Sequence, residues 1–284
     1  MLTLKAPAKI NWFLDVFGKR DDGYHDIVSI MQRVTLYDSL TFEHSDQIEV
    51  LSDANIPLRE NLVYRAAALM KGRTRHASGA RITLKKETPM AAGLGGGSSD
   101  AACTLDGLNM LWNLNLSRQE LAVIGQDLGS DVPFFFHGPA AVVEGRGEVV
   151  SPMRLDSVCT LLLVKPPIAV STAWAYTQAD TMGRKVLTKN DNFIKLFRQA
   201  LEDRDFSLLS TMQKNSLETP VIGRYPVVGE IKRALTQKGA VFSSMSGSGP
   251  TVFGVFLSEE EAGKAAGHMS SHWCKVVKTM GRDE

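Results

Sequence analysis

The densest chemical signal in the chain is the run Pro89-Met90-Ala91-Ala92-Gly93-Leu94-Gly95-Gly96-Gly97-Ser98-Ser99. Four of its glycines fall within five positions, between a strand pattern and a helix pattern. Glycine backbones can turn successive N–H groups into one concavity. The start of the following helix adds unpaired N–H groups and a partial positive charge. That combination suits a phosphate chain. Ser98 and Ser99 supply hydroxyl donors and can cap the helix. Two common phosphate loops do not fit. A Walker A loop ends in Gly-Lys-Ser/Thr, and no lysine follows Gly97; GxGxxG counted from Gly93 meets Ser98 where its last glycine belongs. A tight turn, the competing explanation, needs only one or two glycines.

Three further places carry chemistry of the right type. Lys9, in Ala6-Pro-Ala-Lys-Ile-Asn11, is a lysine among apolar residues on a strand pattern, either a charge partner or a surface lysine beside a turn. Asp131, in Gly129-Ser-Asp-Val-Pro133, is either a proton acceptor or an Asx turn before Pro133. Met245-Ser-Gly-Ser-Gly-Pro250 is either a ligand loop or a hairpin turn with more small residues than a turn needs. Rival chemistries fall away. His268 and His272 stand four apart on a predicted helix, but Met269 occupies the position where HExxH requires glutamate, which leaves a surface pair. Neither Ser98 nor Ser248 lies in GxSxG. No protein metal ligand is read, and His25, in Asp22-Gly-Tyr-His25, has the one informative histidine setting.

The elements that must position these residues follow from periodicity and turn signals. Strands are predicted over Leu2–Lys5, Ile10–Val16, Ile27–Leu36, Leu40–Glu43 and Gln47–Leu51, with a turn at Asp22-Gly23. Asn61 caps a helix bearing Leu62, Ala66, Leu69 and Met70 on one face. A strand from Ala80 leads to Pro89, the glycine run opens a helix through Trp112, and the capping box Ser117–Glu120 opens another to about Leu128. After Pro133 strand patterns return at Ala140–Glu144, Glu148–Val150 and Val158–Val164. Residues 172 to about 218 read as mostly helical. The end reads as helix from Val227 to Lys238, strand Ala240–Ser243, strand Thr251–Leu257, a helix capped at Ser258 and strand Lys275–Thr279.

The 284 residues and 31.1 kDa fit about two domains of roughly 150 residues. Pro152 and the change of pattern around it set the expected cut, giving domains 1–155 and 156–284. A net charge of +1, from 32 basic and 31 acidic residues, argues against a nucleic-acid coat protein and a polybasic membrane anchor. Three scattered cysteines build no disulfide framework, which suits a reducing compartment. No apolar run approaches the roughly 18 residues a bilayer span needs, and lysines interrupt the apolar start, so a cytoplasmic enzyme is expected.

Taken together, Pro7-Ala-Lys-Ile-Asn11, the glycine run and Ser246-Gly-Ser-Gly249 resemble the three signature segments of the GHMP small-molecule kinases. Gly18-Lys-Arg-Asp-Asp-Gly-Tyr-His25, Gly95-Gly-Gly-Ser-Ser-Asp100, Ser130-Asp-Val-Pro-Phe134 and Glu144-Gly-Arg-Gly-Glu148 narrow the resemblance. They match the branch that phosphorylates 4-diphosphocytidyl-2-C-methyl-D-erythritol in non-mevalonate isoprenoid biosynthesis. The likeness runs from residue 6 to about 256. Ala91-Ala92 departs from it, since glycines are frequent there in the family, and a slight loss of loop freedom is expected.

The resemblance implies an α+β fold of two domains. The first would bind ATP and carry catalysis, the second would be ferredoxin-like, and the active site would lie between them. It implies that Lys9 and Asp131 form the catalytic pair, that Pro89 to Ser99 bind ATP, and that Asn11, Tyr24, His25, Thr172 and Tyr176 bind the cytidyl substrate. ATP is the implied co-substrate, with Mg²⁺ arriving as its complex; the partner is the small molecule, with no nucleic acid or membrane. Alternatives are a homoserine- or mevalonate-type GHMP kinase, against which Asp22-Gly-Tyr-His25 speaks, and a non-catalytic nucleotide-binding relative. The latter is expected to lack Lys9 or Asp131, and this chain has both.

Overall fold

The computed structural model describes residues 1–180 and 191–281. The chain divides into two compact units, interleaved along the sequence. Met1–Ala8, Leu36–Met90 and Gly95–Gly138 form one; Lys9–Thr35, Ala91–Leu94 and Pro139–Glu284 form the other. Two long strands, β1 (Leu2–Lys19) and β2 (His25–Ser45), contribute to both. Each is continuous where the sequence predicts two pieces. In β1 the buried alternation of Ala6, Ala8 and Ile10 carries the strand through Pro7. In β2 the alternation Leu36, Asp38, Leu40, Phe42 is unbroken, because the buried Asp38 carboxylate is fully engaged.

In the first unit, β3 (Ile48–Ser52) pairs in parallel with β4 (Gly79–Lys85), which pairs antiparallel with the second half of β2. Three helices cover it: α1 (Leu62–Thr74), α2 (Gly96–Leu111) and α3 (Arg118–Gly125). Asn61 caps α1 by accepting from Val63 N at 2.9 Å, and the Ser117–Glu120 capping box forms at α3. The apolar stripe Val63, Ala66, Ala67, Met70 of α1 packs on α2. Helix α2 in turn crosses β2 so closely that a Cβ at Gly107 would stand 2.4 Å from the Phe42 ring. Pro133–Phe136 form a 3-10 turn with all three phenylalanines buried.

In the second unit, the first half of β2 pairs with β5 (Ala140–Gly145), and β5 with β6 (Val149–Pro152). A four-stranded antiparallel sheet follows, built from β7 (Thr160–Lys165), β8 (Phe242–Met245), β9 (Val252–Phe256) and β10 (Trp273–Lys278). Its order is β10-β7-β9-β8. With α8 (Pro226–Gln237) and α9 (Glu259–Gly267) as its crossovers, this is the ferredoxin-like arrangement expected. Leu162, Val164, Ile231, Leu235, Phe256 and Ala265 share its core.

The helical stretch predicted over 172–218 comprises α4 (Thr172–Asp180), α5 (Asp191–Glu202), α6 (Phe206–Met212) and the start of α7 (Glu218–Arg224). The part of that prediction over 181–190 lies outside the described residues. One expectation is overturned. Helix α9 ends at Gly267, so His268 is its cap and His272 lies beyond it, and the two do not share a helix face. Among the described residues, no helix is long and apolar enough to cross a membrane.

Candidate active site

Lys9 points from β1 with only 3% of its surface exposed. Its ammonium donates to Asn11 Oδ1 at 2.7 Å, and Asn11 Nδ2 donates to Ser29 Oγ at 2.8 Å. Two residues apart on a strand, Lys9 and Asn11 share one face. Two loops of the second unit close on that face. Lys9 N donates to Leu94 O at 2.9 Å, and Ser246 Oγ donates to Gly93 O at 2.9 Å and accepts from Asn11 N at 3.2 Å. Both turns require glycine. At Gly93 (φ +75°) a Cβ would lie 2.1 Å from Ser246 O, and at Gly247 (φ +55°) it would lie 3.5 Å from Lys9 Nζ. Asn215 Nδ2 braces the second loop by donating to Met245 O and Gly247 O at 2.8 and 2.9 Å. Thr172 Oγ1, at the start of α4, lies 2.9 Å from Ser248 Oγ.

In the first unit the loop part of the glycine run ends at Gly95, which takes a left-handed φ of 67° and precedes α2 without a side-chain cap. Ser98 and Ser99 therefore sit inside the first turn of α2. The expectation that either serine is the cap is corrected, because the left-handed Gly95 ends the loop before them. The amides of residues 96–98 receive no side-chain cap, the arrangement that anions favour at a helix start. Ala91 also takes a positive φ, 49°, without being glycine.

Beside the start of α2 stands an ion triad, with Lys86 Nζ 3.4 Å from where a Cβ at Gly96 would lie. Lys86 Nζ donates to Asp100 Oδ2 at 2.7 Å and to Asp38. Asp38 Oδ1 accepts from Glu87 N and Thr88 N at 2.6 and 2.7 Å, which fixes the approach to Pro89. Burial works to lower the Lys86 ammonium, but the two carboxylates outweigh it and the net direction is up. Burial pushes the Asp100 carboxyl up to about 7, against the pull of Lys86.

Asp131 is half-buried in the segment that joins α3 to the 3-10 turn. The fully buried Val132 anchors that segment, packing so near α3 that a Cβ at Gly125 would meet it at 2.7 Å. Two residues before Asp131, Gly129 approaches Ser98 Oγ, which brings the segment alongside the first turn of α2.

The remaining predicted residues behave differently from one another. The chain turns over residues 20–24, with Arg20 N donating to Tyr24 O at 2.7 Å. Tyr24 is 49% exposed, and the Arg146 guanidinium of the β5–β6 turn stands over its ring at 5.0 Å. His25 is buried. Its Nε2 lies 2.7 Å from Asp180 Oδ1, and its ring lies 5.4 Å from that of Tyr176 on α4. The fold thus brings His25 and Tyr176 together, and Lys9, Asn11 and Gly93 together. Sequence reasoning missed Ser29, Asn215, Asp180 and the Lys86 triad. Of these only Asn215, an asparagine before a helix start, left a local signal.

Known proteins resemble the chain in sequence and in fold. The model for the GHMP kinases N terminal domain matches residues 61–139, and that for GHMP kinases C terminal matches residues 197–274. A 4-diphosphocytidyl-2-C-methyl-D-erythritol kinase of Thermodesulfovibrio yellowstonii is 47% identical over 99% of this chain and 98% of its own length. One of Geobacter metallireducens is 44% identical over 97% of each chain. A crystal structure of 4-(cytidine 5'-diphospho)-2C-methyl-D-erythritol kinase superimposes with a TM-score of 0.84 at 30% identity, covering 99% of this chain and 100% of its own. Homoserine kinase from Cytophaga hutchinsonii shares the fold, with a TM-score of 0.74 at 19% identity over 100% of this chain and 95% of its own. By sequence over nearly its whole length, the chain belongs to the GHMP kinases, small-molecule phosphotransferases with ATP as co-substrate, and within them to the 4-diphosphocytidyl-2-C-methyl-D-erythritol kinase family.

Proposed function

We propose that the chain transfers the γ-phosphoryl group of ATP to the 2-hydroxyl of 4-diphosphocytidyl-2-C-methyl-D-erythritol, giving the 2-phosphate and ADP in non-mevalonate isoprenoid biosynthesis. The observation that carries the reading is the buried Lys9 ammonium, bonded to Asn11 and set against the glycine turns at Gly93 and Gly247. A buried cation beside backbone with no side chains suits a site where anionic phosphoryl groups react.

The chemistry assigns roles to residues. A substrate hydroxyl must lose its proton as it attacks phosphorus, and Asp131 accepts it. Lys9 offsets charge on the transferring group. Pro89 to Ser99 cradle the ATP phosphates with backbone amides, and the uncapped start of α2 supports this. Asn11 and Thr172 position the acceptor, while Tyr24, His25 and Tyr176 hold the cytosine. Residues 1–155 would thus carry nucleotide binding and catalysis and 156–284 the second domain; the two family models fall on either side of that cut. Mg²⁺ belongs with ATP, whose phosphates would hold it, and when bound it neutralises phosphate charge. Among the described residues, no three His, Cys, Asp or Glu side chains gather as a metal cage. Free thiols at Cys103, Cys159 and Cys274 fit a reducing compartment, which supports a cytoplasmic reaction.

An acceptor panel tests the reading. With ATP and Mg²⁺, ADP release should follow addition of the cytidyl substrate and not of homoserine or mevalonate. Turnover of either of those, with none of the cytidyl substrate, would overturn it.

A further inference from the structure

We infer that Asp180 is a positioning residue that holds His25 in one tautomer and so selects which pyrimidine the site accepts. The inference rests on the proposed reading of His25 as a residue that faces the base.

His25 opens β2 and is 9% exposed, so its ring needs a polar partner inside the protein. Asp180 supplies one, with 2.7 Å between His25 Nε2 and Asp180 Oδ1. Tyr176 and Asp180 stand four residues apart on α4, so one helix face offers an aromatic ring and a carboxylate to the same imidazole. A carboxylate can only accept, so the shared proton sits on Nε2, and Nδ1 of the neutral ring is left as an acceptor. Among the described residues, Nδ1 has no hydrogen-bond partner.

An acceptor at that position discriminates between bases. Cytosine presents an exocyclic N4–H₂ donor where uracil presents the O4 acceptor. Nδ1 can accept from the first and meets the second lone pair to lone pair, so the wrong base leaves two polar groups unpaired. Asp180 never touches the base in this account. Its part is to keep the proton on the far nitrogen.

The test compares kcat/KM for the cytidyl substrate and its uridyl analogue in the intact protein, with the His25 tautomer read by ¹⁵N–¹H correlation of the ring. Wild type should show the Nε2–H tautomer and prefer the cytidyl substrate. Asp180→Asn can donate its amide to Nε2, which favours the Nδ1–H tautomer. It should lower cytidyl kcat/KM by about 5- to 100-fold, the span expected for an unpaired buried polar group. The uridyl-to-cytidyl ratio should rise, with the ATP KM and the Tm held. Asp180→Glu, which keeps an acceptor-only partner, should recover much of the preference. Unchanged discrimination in Asp180→Asn, or an Nδ1–H tautomer in wild type, overturns the inference. His25→Ala separates the layers. If it abolishes discrimination while Asp180→Asn does not, only the role of Asp180 fails; if it leaves discrimination intact, the reading of His25 fails and takes this inference with it.

Discussion

The Ser246 hydroxyl donates to the Gly93 carbonyl across 2.9 Å, and this bond ties two loops that lie 153 positions apart in the chain. The same oxygen accepts from Asn11 N at 3.2 Å, so the strand bearing Lys9 joins the junction. Gly93 has no room for a side chain. Its Cβ would fall 2.1 Å from Ser246 O, and its φ is +75°. A left-handed backbone alone costs a non-glycine residue roughly 1–2 kcal/mol, and the clash adds to it. Gly93→Ala should therefore lower the Tm by several degrees and raise the ATP KM. A folded Gly93→Ala protein with wild-type Tm and ATP KM would contradict the junction.

Ala91 and Gly95 should respond in opposite ways. Ala91 already sits at φ 49°, so Ala91→Gly relieves strain while adding freedom to the unfolded chain. These terms partly cancel, leaving a change between about 0 and 1.6 kcal/mol in favour of the variant, with activity kept. Gly95→Val puts a β-branched residue at φ 67°, where the proposed phosphate cradle meets α2. It should destabilise the loop and weaken ATP binding. Isothermal titration with ATP and a thermal melt read both changes; a Tm drop of several degrees in Ala91→Gly would sink the strain assignment.

Asp100 gives the fold a pH dependence of definite sign. Burial raises its carboxyl from 3.8 to about 7 in the native state. Between those values the folded chain holds a proton that the unfolded chain has released, so this term loses stability as pH rises and levels off above about 7. Asp100→Asn does not titrate. Its Tm relative to wild type should climb from pH 4 to 7 and then stay level, whatever constant offset the lost Lys86 contact adds. A difference that is flat over that window, or falls, would show that Asp100 is ionised throughout.

Much of this was legible because the signals were local. Asn61, Ser117 and Ser258 each cap a helix through residues two or three positions away, and such spacings are written in the sequence. The glycine run was legible for the same reason, each φ being a property of one residue. The triad was not. Lys86 meets Asp38 across 48 positions and Asp100 across 14, and Asp38 looks like a break in a strand until its carboxylate is seen to be satisfied. Asn215 left the local signal of an asparagine before a helix start, but the predicted helical pattern over 172–218 runs straight through it, and the His25–Asp180 bond spans 155 positions. Ser98 and Ser99 can cap a helix by type, yet they lie inside α2, because a left-handed Gly95 can end a loop without a hydroxyl cap.

The kcat of Asp131→Asn with ATP and the cytidyl substrate tests the proposed chemistry most directly. Asparagine keeps the shape of the side chain but cannot take a proton. General base catalysis is worth about 10² to 10⁴ in rate, so kcat should fall at least 100-fold while the Kd for ATP stays near its wild-type value. Wild-type kcat in Asp131→Asn would contradict the assignment of the proton acceptor.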